Sequence, residues 1–186
     1  MYVLYHGGQS GTSLPGRATL PKLRHMTRRL TEFERSFLAE YFADSLDLEP
    51  IRVAASLGKR SWSPYGPRIS LVRHHFQDHR AANEIALGDP RTASVFAHEA
   101  LHVWQRQGGR RVTWEAIPLQ ANYILGRRDP YEYVSSEDPA VVLAQFTAGN
   151  VEQQGKIFED YVRCERSGRD TRAFDAVAQF VRARVR

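Results

Sequence analysis

Residues 98–102 read His98-Glu99-Ala100-Leu101-His102, and this stretch is the starting point for the fold and the chemistry of the chain. Histidines four residues apart project from the same face of a helix, so their ring nitrogens can converge on one ion about 2 Å away. Glu99 lies between them and supplies a carboxylate beside that ion. The pattern is typical of zinc hydrolases.

The residues around the motif predict a buried helix. Asp89-Pro90 supplies an N-cap followed by a proline at the first helical position, and Gly108-Gly109 supplies a C-terminal stop. The intervening apolar residues occur almost all round the helix: Ala93, Val95, Phe96, Ala97, Ala100, Leu101, Val103 and Trp104. Histidines inside such a helix need a partner, either a metal ion or local hydrogen bonds, and the complete motif favours the metal.

The composition is that of one folded domain. A chain of 186 residues is long enough for one ordinary hydrophobic core and short for two. The hydrophobic fraction of 42% excludes a disordered class, and no apolar run reaches the roughly 18 to 20 residues of a membrane span. Residues 1–11 lack the regions of a signal peptide, so we expect a cytosolic protein. The single cysteine, Cys164, cannot form an internal disulfide or a cysteine-ligated zinc site, so zinc would need histidine and carboxylate ligands.

The net charge of +5 raises nucleic acid as a partner, but the pattern of basic residues argues against it. Arginines are scattered in short pairs, and no aromatic-basic module or nucleic-acid fold signature accompanies them. A solvated basic surface is the favoured interpretation.

The pattern along the chain predicts an α+β fold that is mainly helical and has a small antiparallel sheet. Residues 1–30 show no clear period and are expected to form a loosely ordered lead-in, followed by one domain over residues 31–186. Thr31 and Glu34 form a capping box, which predicts a helix over residues 31–46.

Two short strands and four further helices follow from the same reasoning. Ile51–Ala55 and Ile69–Val72 read as strands, with Pro and Gly turn residues at 64–67 before the second. Helices are predicted over residues 115–125, 138–146, 151–163 and 171–184.

Several aromatic residues and histidines outside the motif receive structural assignments. Trp104 and Trp114 are interpreted as core residues. His74, His75 and His79 lie in a polar stretch without a glutamate in the base position, so we expect a loop with solvent-facing histidines rather than a second metal site.

Two histidines leave a catalytic zinc one protein ligand short. No histidine follows His102, so the third ligand must be a carboxylate. The downstream candidates are Glu115, Glu132, Glu137, Glu152, Glu159, Asp160 and Glu165. The helix from residue 151 carries three of them on nearly one face, and Glu152 in its first turn is the choice. The alternative is that these carboxylates form a solvated, exposed face.

Three stretches of the chain resemble short bacterial proteins known as VgrG-related proteins, which are similar to minimal gluzincin-type zinc metallopeptidases. They lie within residues 28–163 and read Leu30-Thr31-Glu32-Phe33-Glu34-Arg35, His98-Glu99-Ala100-Leu101-His102-Val103-Trp104-Gln105 and Val151-Glu152-Gln153-Gln154-Gly155-Lys156-Ile157-Phe158-Glu159-Asp160-Tyr161. The longer stretches make the resemblance more specific than the five-residue motif alone.

The resemblance implies a zincin-like core in which His98, His102 and Glu152 bind zinc and Glu99 acts on water. Gluzincins commonly carry an acidic residue four positions after the third ligand, as an outer partner of the metal site. This chain has Lys156 at that position, and Asp160 or Glu159 is available instead.

The expected reaction is hydrolysis of a peptide bond, in which zinc acidifies a water and Glu99 takes its proton as general base. A further donor should stabilise the oxyanion, and the available tyrosines are Tyr123, Tyr131, Tyr133 and Tyr161. Spacing does not choose among the four. We name Tyr161 and Tyr133 with Glu99 as the candidate catalytic residues.

The expected partner is a peptide or protein substrate. The strand at 69–72 would, as in related peptidases, border the cleft and pair with an extended substrate, or else serve only as sheet structure. The family resemblance implies association with a contractile, type VI-like secretion system, with export that needs no cleavable signal peptide. The alternative function is a binding or structural module that zinc only stabilises.

Overall fold

The fold is mainly helical with a small sheet, which confirms the predicted α+β class. The computed structural model describes residues 27–56, 58–63, 65–80, 83–127 and 129–184. The elements are β1 (Arg28–Arg29), α1 (Glu32–Phe42), β2 (Arg52–Ala55), β3 (Arg68–Leu71), α2 (Pro90–Gln107), α3 (Val112–Ile124), α4 (Pro139–Ala148), α5 (Val151–Arg166) and α6 (Asp175–Ala183).

The start of the described chain belongs to the domain. Most of the predicted lead-in, residues 1–26, lies outside the described residues, but Arg28 and Arg29 form β1. Arg28 donates two hydrogen bonds to the buried carboxylate of Glu34, which also closes the predicted capping box with Thr31. The helix α1 ends at Phe42 rather than at residue 46, because Ala43 has a φ of 47° and the chain continues as a 3₁₀ turn.

The sheet is mixed, which corrects the predicted antiparallel sheet. The strands lie in the order β1-β2-β3, with β1 antiparallel and β3 parallel to β2. Trp62, which precedes the predicted turn, pairs antiparallel with Ser70 of β3. After β2, the chain first reaches the edge of β3 that faces away from β2, where Trp62 runs antiparallel to β3. The strand β3 then runs in the same direction as β2 and pairs with it in parallel.

This arrangement also covers the edge of β3 at Ser70. The Ser70 N–H donates to the carbonyl of Trp62 at 2.9 Å, and the Trp62 N–H donates to the carbonyl of Ser70 at 2.8 Å. The predicted pairing of a substrate with this strand is therefore wrong at that position, because its backbone groups are already used.

The helices α2 and α5 form the centre of the core. They run antiparallel, since Arg163 contacts Ser94 near one end and Gln154 contacts Gln105 near the other. Trp104 is buried in this core as predicted, with its indole donating to Ser45.

The helix α3 lies at the surface and corrects two expectations. It begins at Val112 and continues through Pro118, which is exposed, so water can satisfy the Trp114 carbonyl that loses its helical partner. Trp114 is 75% exposed and is not a core residue.

The helices α4 and α5 lie where they are predicted, within three residues at each end. The last helix, α6, begins at Asp175 rather than at residue 171, because a 3₁₀ turn over Arg172–Phe174 precedes it, and it buries Val177, Ala178 and Val181. None of the described helices combines the length and apolar character that crossing a membrane requires.

Candidate metal centre

The histidine motif lies on α2, whose ends form as the sequence predicts. The Asp89 carboxylate accepts hydrogen bonds from the backbone N–H groups of Arg91 and Thr92, Pro90 occupies the first turn, and Gly108 is the C-cap. His98, Glu99 and His102 are all buried. A rigid, fully packed helix therefore holds both imidazoles.

Glu152 reaches these histidines from the first turn of α5. The Asn150 side chain caps this helix by accepting from the N–H groups of Glu152 and Gln153. The distance between the Nε2 atoms of His98 and His102 is 3.2 Å, and Glu152 Oε2 lies 3.5 Å from each of them. The structure thus brings together the three residues predicted as metal ligands, and they form a buried group able to bind a metal ion.

Glu159 supports His98 from the next two turns of α5. Its Oε2 lies 3.1 Å from His98 Nδ1, whereas Lys156 pairs with Asp160 instead. Of the two acidic residues considered in place of Lys156, Glu159 contacts His98, whereas Asp160 pairs with Lys156. An imidazole that donates Nδ1–H to a carboxylate presents Nε2 toward the metal position.

Two glutamine side chains orient His102 through hydrogen bonds whose donors and acceptors are fixed by their partners. Gln154 Nε2 donates to the Phe146 carbonyl, so its Oε1 faces Gln105. Gln105 Nε2 donates to that oxygen and to the Val151 carbonyl, which leaves Gln105 Oε1 2.8 Å from His102 Nδ1. A carbonyl oxygen can only accept, so His102 carries its proton on Nδ1 and directs the Nε2 lone pair at the candidate site.

The carboxylates of the candidate ligand group favour a positive charge between the three side chains. Burial opposes a charge on His98, but hydrogen bonds to Glu152 and Glu159 outweigh it and raise the pKa of His98 to about 10. Burial likewise opposes ionisation of Glu152, yet His102 and His98 lower its pKa far below the usual range. Without a metal, a proton on His98 supplies the charge; a bound cation would replace that proton.

Glu99 has an unused carboxylate oxygen. Burial raises the pKa of Glu99, and its Oε2 has no hydrogen-bond partner among the described residues. A buried oxygen without a partner is costly unless another group completes the site. Its position beside the three candidate ligands fits a carboxylate that acts on a water or substrate.

The group opens into a cleft of about 1480 Å³, which is lined by α2, α3, α5 and the residues before and within β3. Tyr131 and Tyr123 line this cleft. The ring of Tyr131 lies 6.3 Å from that of His98, and its hydroxyl accepts a hydrogen bond of 2.7 Å from Gln120.

The two tyrosines named from the sequence do not line the cleft. Tyr161 is buried in the aromatic core, where its ring contacts those of Tyr41, Phe158 and Phe174. Tyr133 donates to Asp160 at 2.9 Å and packs against the core. Tyr161 cannot face the cleft together with Glu152, because nine residues are two and a half turns of α-helix and place the two side chains on opposite faces of α5.

The three histidines predicted to face solvent, His74, His75 and His79, differ from that prediction at one position. His74 and His79 are exposed as expected, but His75 is buried and its Nδ1 lies 2.9 Å from Thr92 Oγ1. Burial lowers the pKa of His75 to about 4, so the ring is neutral near pH 7. The described residues contain one candidate metal group, and His75 is not part of it.

Sequence reasoning missed three residues around the candidate ligands, Gln105, Gln154 and Gly155, and it included Tyr131 among the available tyrosines without selecting it. Gly155 could have been found from the sequence, because a glycine in the interior of an amphipathic helix lowers helix stability and is usually kept for a packing or functional reason. A Cβ at Gly155 would lie 2.6 Å from His98 Nε2, so this glycine allows α5 to approach the imidazole. The others are set by contacts between helices that no local pattern reveals.

No protein-family model matches the chain. The type VI secretion system spike protein VgrG2b of Pseudomonas aeruginosa is 30% identical in an alignment of 140 positions that covers 72% of this chain. A solved structure of the effector domain of P. aeruginosa VgrG2b aligns with a TM-score of 0.60 and 25% identity, over 83% of this chain and 82% of that domain. The chain is similar to the VgrG2b effector domain.

The similarity is to one part of a much larger protein, since the chain spans 13% of the length of full VgrG2b. The sequence-based resemblance to VgrG-related proteins is confirmed. The more specific assignment to gluzincin-type peptidases with a zincin-like core stays a prediction.

Proposed function

We propose that the chain is a zinc-dependent metallopeptidase, with the zincin-like core that the motif predicts. The observation that carries the proposal is the convergence of His98, His102 and Glu152 beside the unpartnered oxygen of Glu99, at the floor of an open cleft. Three protein ligands leave a fourth position for water, as in catalytic zinc sites, and the adjacent carboxylate can act as a general base.

The donor atoms fit zinc in chemistry and in spacing. Zinc bonds of about 2.0–2.2 Å to nitrogen and oxygen in tetrahedral geometry place neighbouring donors roughly 3.4 Å apart. The observed separations are 3.2, 3.5 and 3.5 Å. Two imidazoles with one carboxylate favour zinc over magnesium or calcium, which prefer ligand sets made of oxygen.

Zinc, when bound, supplies a positive charge that acidifies a water and polarises a carbonyl. Glu99 accepts the proton of that water through its free Oε2 and returns it to the nitrogen of the leaving amine. Burial favours this role because it raises the pKa of Glu99 and so makes the carboxylate a stronger base.

Tyr131 is the residue we assign to the oxyanion, in place of Tyr161 and Tyr133. It lines the cleft beside His98, and Gln120 donates to its oxygen, which leaves the hydroxyl hydrogen free to donate to a substrate. Burial raises the pKa of Tyr131 to about 12, so the hydroxyl keeps its proton near pH 7.

The open cleft suits an extended peptide or protein substrate rather than an enclosed small molecule. We further infer an association with a type VI-like secretion system, in which this chain acts as an effector. The support for this inference is the similarity to the effector domain of VgrG2b.

The test combines metal content with cleavage of an unfolded protein, using the unchanged chain, Glu152→Ala and Glu99→Gln. We expect one zinc per chain by elemental analysis, loss of zinc in Glu152→Ala, and retained zinc without cleavage in Glu99→Gln. Asp160→Asn serves as a control on α5 that keeps both properties.

Absence of bound zinc in the unchanged chain would overturn the proposal. Stable zinc binding together with cleavage that Glu99→Gln does not reduce would exclude Glu99 as the base. Zinc that is required for folding, without cleavage of any unfolded protein, would favour the structural module.

A further inference from the structure

The cleft contains a second set of unpaired groups besides the metal centre. Two buried side-chain polar atoms lack a hydrogen-bond partner among the described residues, and they are Glu99 Oε2 and Arg68 Nε. Both residues line the cleft. One atom is an acceptor and the other a donor, so a ligand that satisfies both must offer a proton to Glu99 and an acceptor to Arg68.

Further cations line the same cleft as Arg68. Lys59, Arg60 and Arg91 also line the cleft, and within the described ranges none of these four side chains forms an ion pair with a carboxylate. The acidic residues that line the cleft are Glu99, Glu152 and Glu159. All three belong to the metal centre, so the positive charge of the wall is not neutralised within the cleft.

The position of Arg91 relates this charge to the metal centre. Arg91 precedes His98 by seven residues on α2, and with Val95 between them they lie along the same cleft-facing side of the helix. Seven residues of α-helix rise about 10 Å, which is the length of about three residues of an extended peptide. A peptide that runs along this side of α2 would bring a side chain three residues from the cut bond to Arg91.

The α3 side of the cleft is partly aliphatic. Ala116, Ile117, Ala121 and Ile124 line the cleft from α3, alongside Thr113, Gln120 and Tyr123. The aliphatic side chains suit the apolar residues of a peptide, which we therefore favour as the ligand. The aromatic rings of Trp62 and Tyr65 also line the cleft and are able to stack on bases, so a nucleic acid is the competing ligand in the binding test below.

Building on the peptidase function proposed above, we propose that the cleft selects acidic peptides, with Arg68 as the main specificity-determining residue and Arg91 as a second contact. A substrate Asp or Glu completes the hydrogen bonding of Arg68 by a charge-assisted pair. A neutral Gln or Asn side chain offers a weaker acceptor, and a Lys or Arg side chain is repelled.

The first arm of the test maps cleavage sites in a library of peptides derived from a denatured proteome. We expect Asp and Glu to be enriched, and Lys and Arg to be depleted, within about four residues of the cut bond. Matched peptides that differ by a single Glu-to-Gln exchange should differ about tenfold in kcat/KM. Arg68→Gln should reduce that preference to about twofold or less, and Arg91→Gln should reduce it partly.

The matched control is Arg169→Gln, which removes an exposed arginine outside the cleft and should leave the preference unchanged. Equal cleavage of the Glu and Gln peptides by the unchanged protein would overturn the inference while leaving the peptidase function intact. Because Arg68 is half-buried, Arg91→Gln keeps the test valid if Arg68→Gln does not fold.

The second arm measures binding without catalysis, using the zinc-loaded Glu99→Gln variant. Its probes are a fluorescein-labelled peptide of alternating Glu and Ala, the same peptide with Gln in place of Glu, and a short thymidine oligonucleotide. Fluorescence anisotropy should show about tenfold tighter binding of the acidic peptide than of the neutral one. Tightest binding of the oligonucleotide would overturn the inference. Preference for the acidic peptide without cleavage by the unchanged protein would instead refute only the peptidase function.

Discussion

Gly155 lies directly against the imidazole of His98: a Cβ added at position 155 would come within 2.6 Å of Nε2 and 2.7 Å of Cε1. Separations this short are not tolerated in a packed interior. The absence of a side chain at this position on α5 therefore lets Glu152 and Glu159 reach the same histidine from successive turns of the helix. The geometry of the candidate metal centre depends on a residue that cannot itself bind a metal.

Gly155→Ala should weaken zinc binding at least about tenfold, because the methyl group displaces the His98 ring. Alanine favours a helix over glycine by roughly 0.5–1 kcal/mol, so the helical content should not fall. The measurements are competitive zinc titration with a chelator and circular dichroism. Unchanged zinc affinity would show that the imidazole moves aside without cost to the site.

Glu159→Gln should lower zinc affinity by about tenfold or more, because a neutral amide polarises His98 less than a carboxylate does. The control is Asp160→Asn on the neighbouring position, whose carboxylate pairs with Lys156 and accepts from Tyr133. The two variants remove the same charge from the same helix turn. Equal losses would mean that only the overall charge matters, and not the contact with His98.

Gln105→Leu should also weaken zinc binding, because it removes the acceptor that holds the proton of His102 on Nδ1. The expected loss is about tenfold. Gln107→Leu changes an exposed glutamine near the end of the same helix and should leave zinc affinity unchanged. Nitrogen NMR of the histidine rings in the metal-free protein would report the tautomer directly.

The metal-free protein should lose stability as the pH rises from about 6.5 to about 10. The pKa of His98 is raised to about 10 in the folded protein, against about 6.5 in an unfolded chain. Its contribution to the free energy of unfolding is therefore complete below pH 6.5 and is lost as the pH passes through 10. Urea unfolding of chelator-treated protein at several pH values would measure this loss.

His98→Gln supplies the control for that pH dependence, since it cannot bind the proton. A parallel loss of stability in this variant would assign the effect to other groups. The same shift predicts that zinc binding at pH 8 releases close to one proton, which titration calorimetry in two buffers of different ionisation enthalpy would detect.

Tyr131→Phe should lower kcat by about tenfold to a hundredfold with little change in KM, because the hydroxyl is expected to act on the oxyanion rather than on the bound substrate. Tyr133→Phe removes a hydroxyl that donates to Asp160 outside the cleft, so its kcat should stay within about twofold. The assay is steady-state cleavage of one peptide by both variants. An equal effect of the two changes would remove the reason for choosing Tyr131.

Local sequence patterns predicted the structure correctly where residues close in the sequence determine the backbone conformation. Asp89 and Pro90 begin α2, Gly108 ends it, and the spacing of His98 and His102 places both rings on one face, all as predicted. The capping box at Thr31 formed for the same reason. These features depend on hydrogen bonds and dihedral angles among residues that are neighbours in the sequence, so the local residue pattern predicts them.

Local signals failed where the partner lies far along the chain. The direction of β3 depended on the segment around Trp62 reaching its far edge first, and the exposure of Trp114 depended on how little of α3 is covered. The choice between Tyr131 and the tyrosines at 133 and 161 depended on which of them faces the cleft. None of these outcomes follows from periodicity, because each is set by packing between elements.

The sequence by itself determined the helix that carries the motif and narrowed the third ligand to a carboxylate. It did so because helix geometry is local and because no histidine follows His102. Only the tertiary structure decided that Glu152 completes the group, that Glu159 and Gln105 orient the two imidazoles, and that cations without a carboxylate partner line the cleft. Those relationships join residues up to 61 positions apart, and they arise from the antiparallel packing of α5 on α2 at a distance that Gly155 permits.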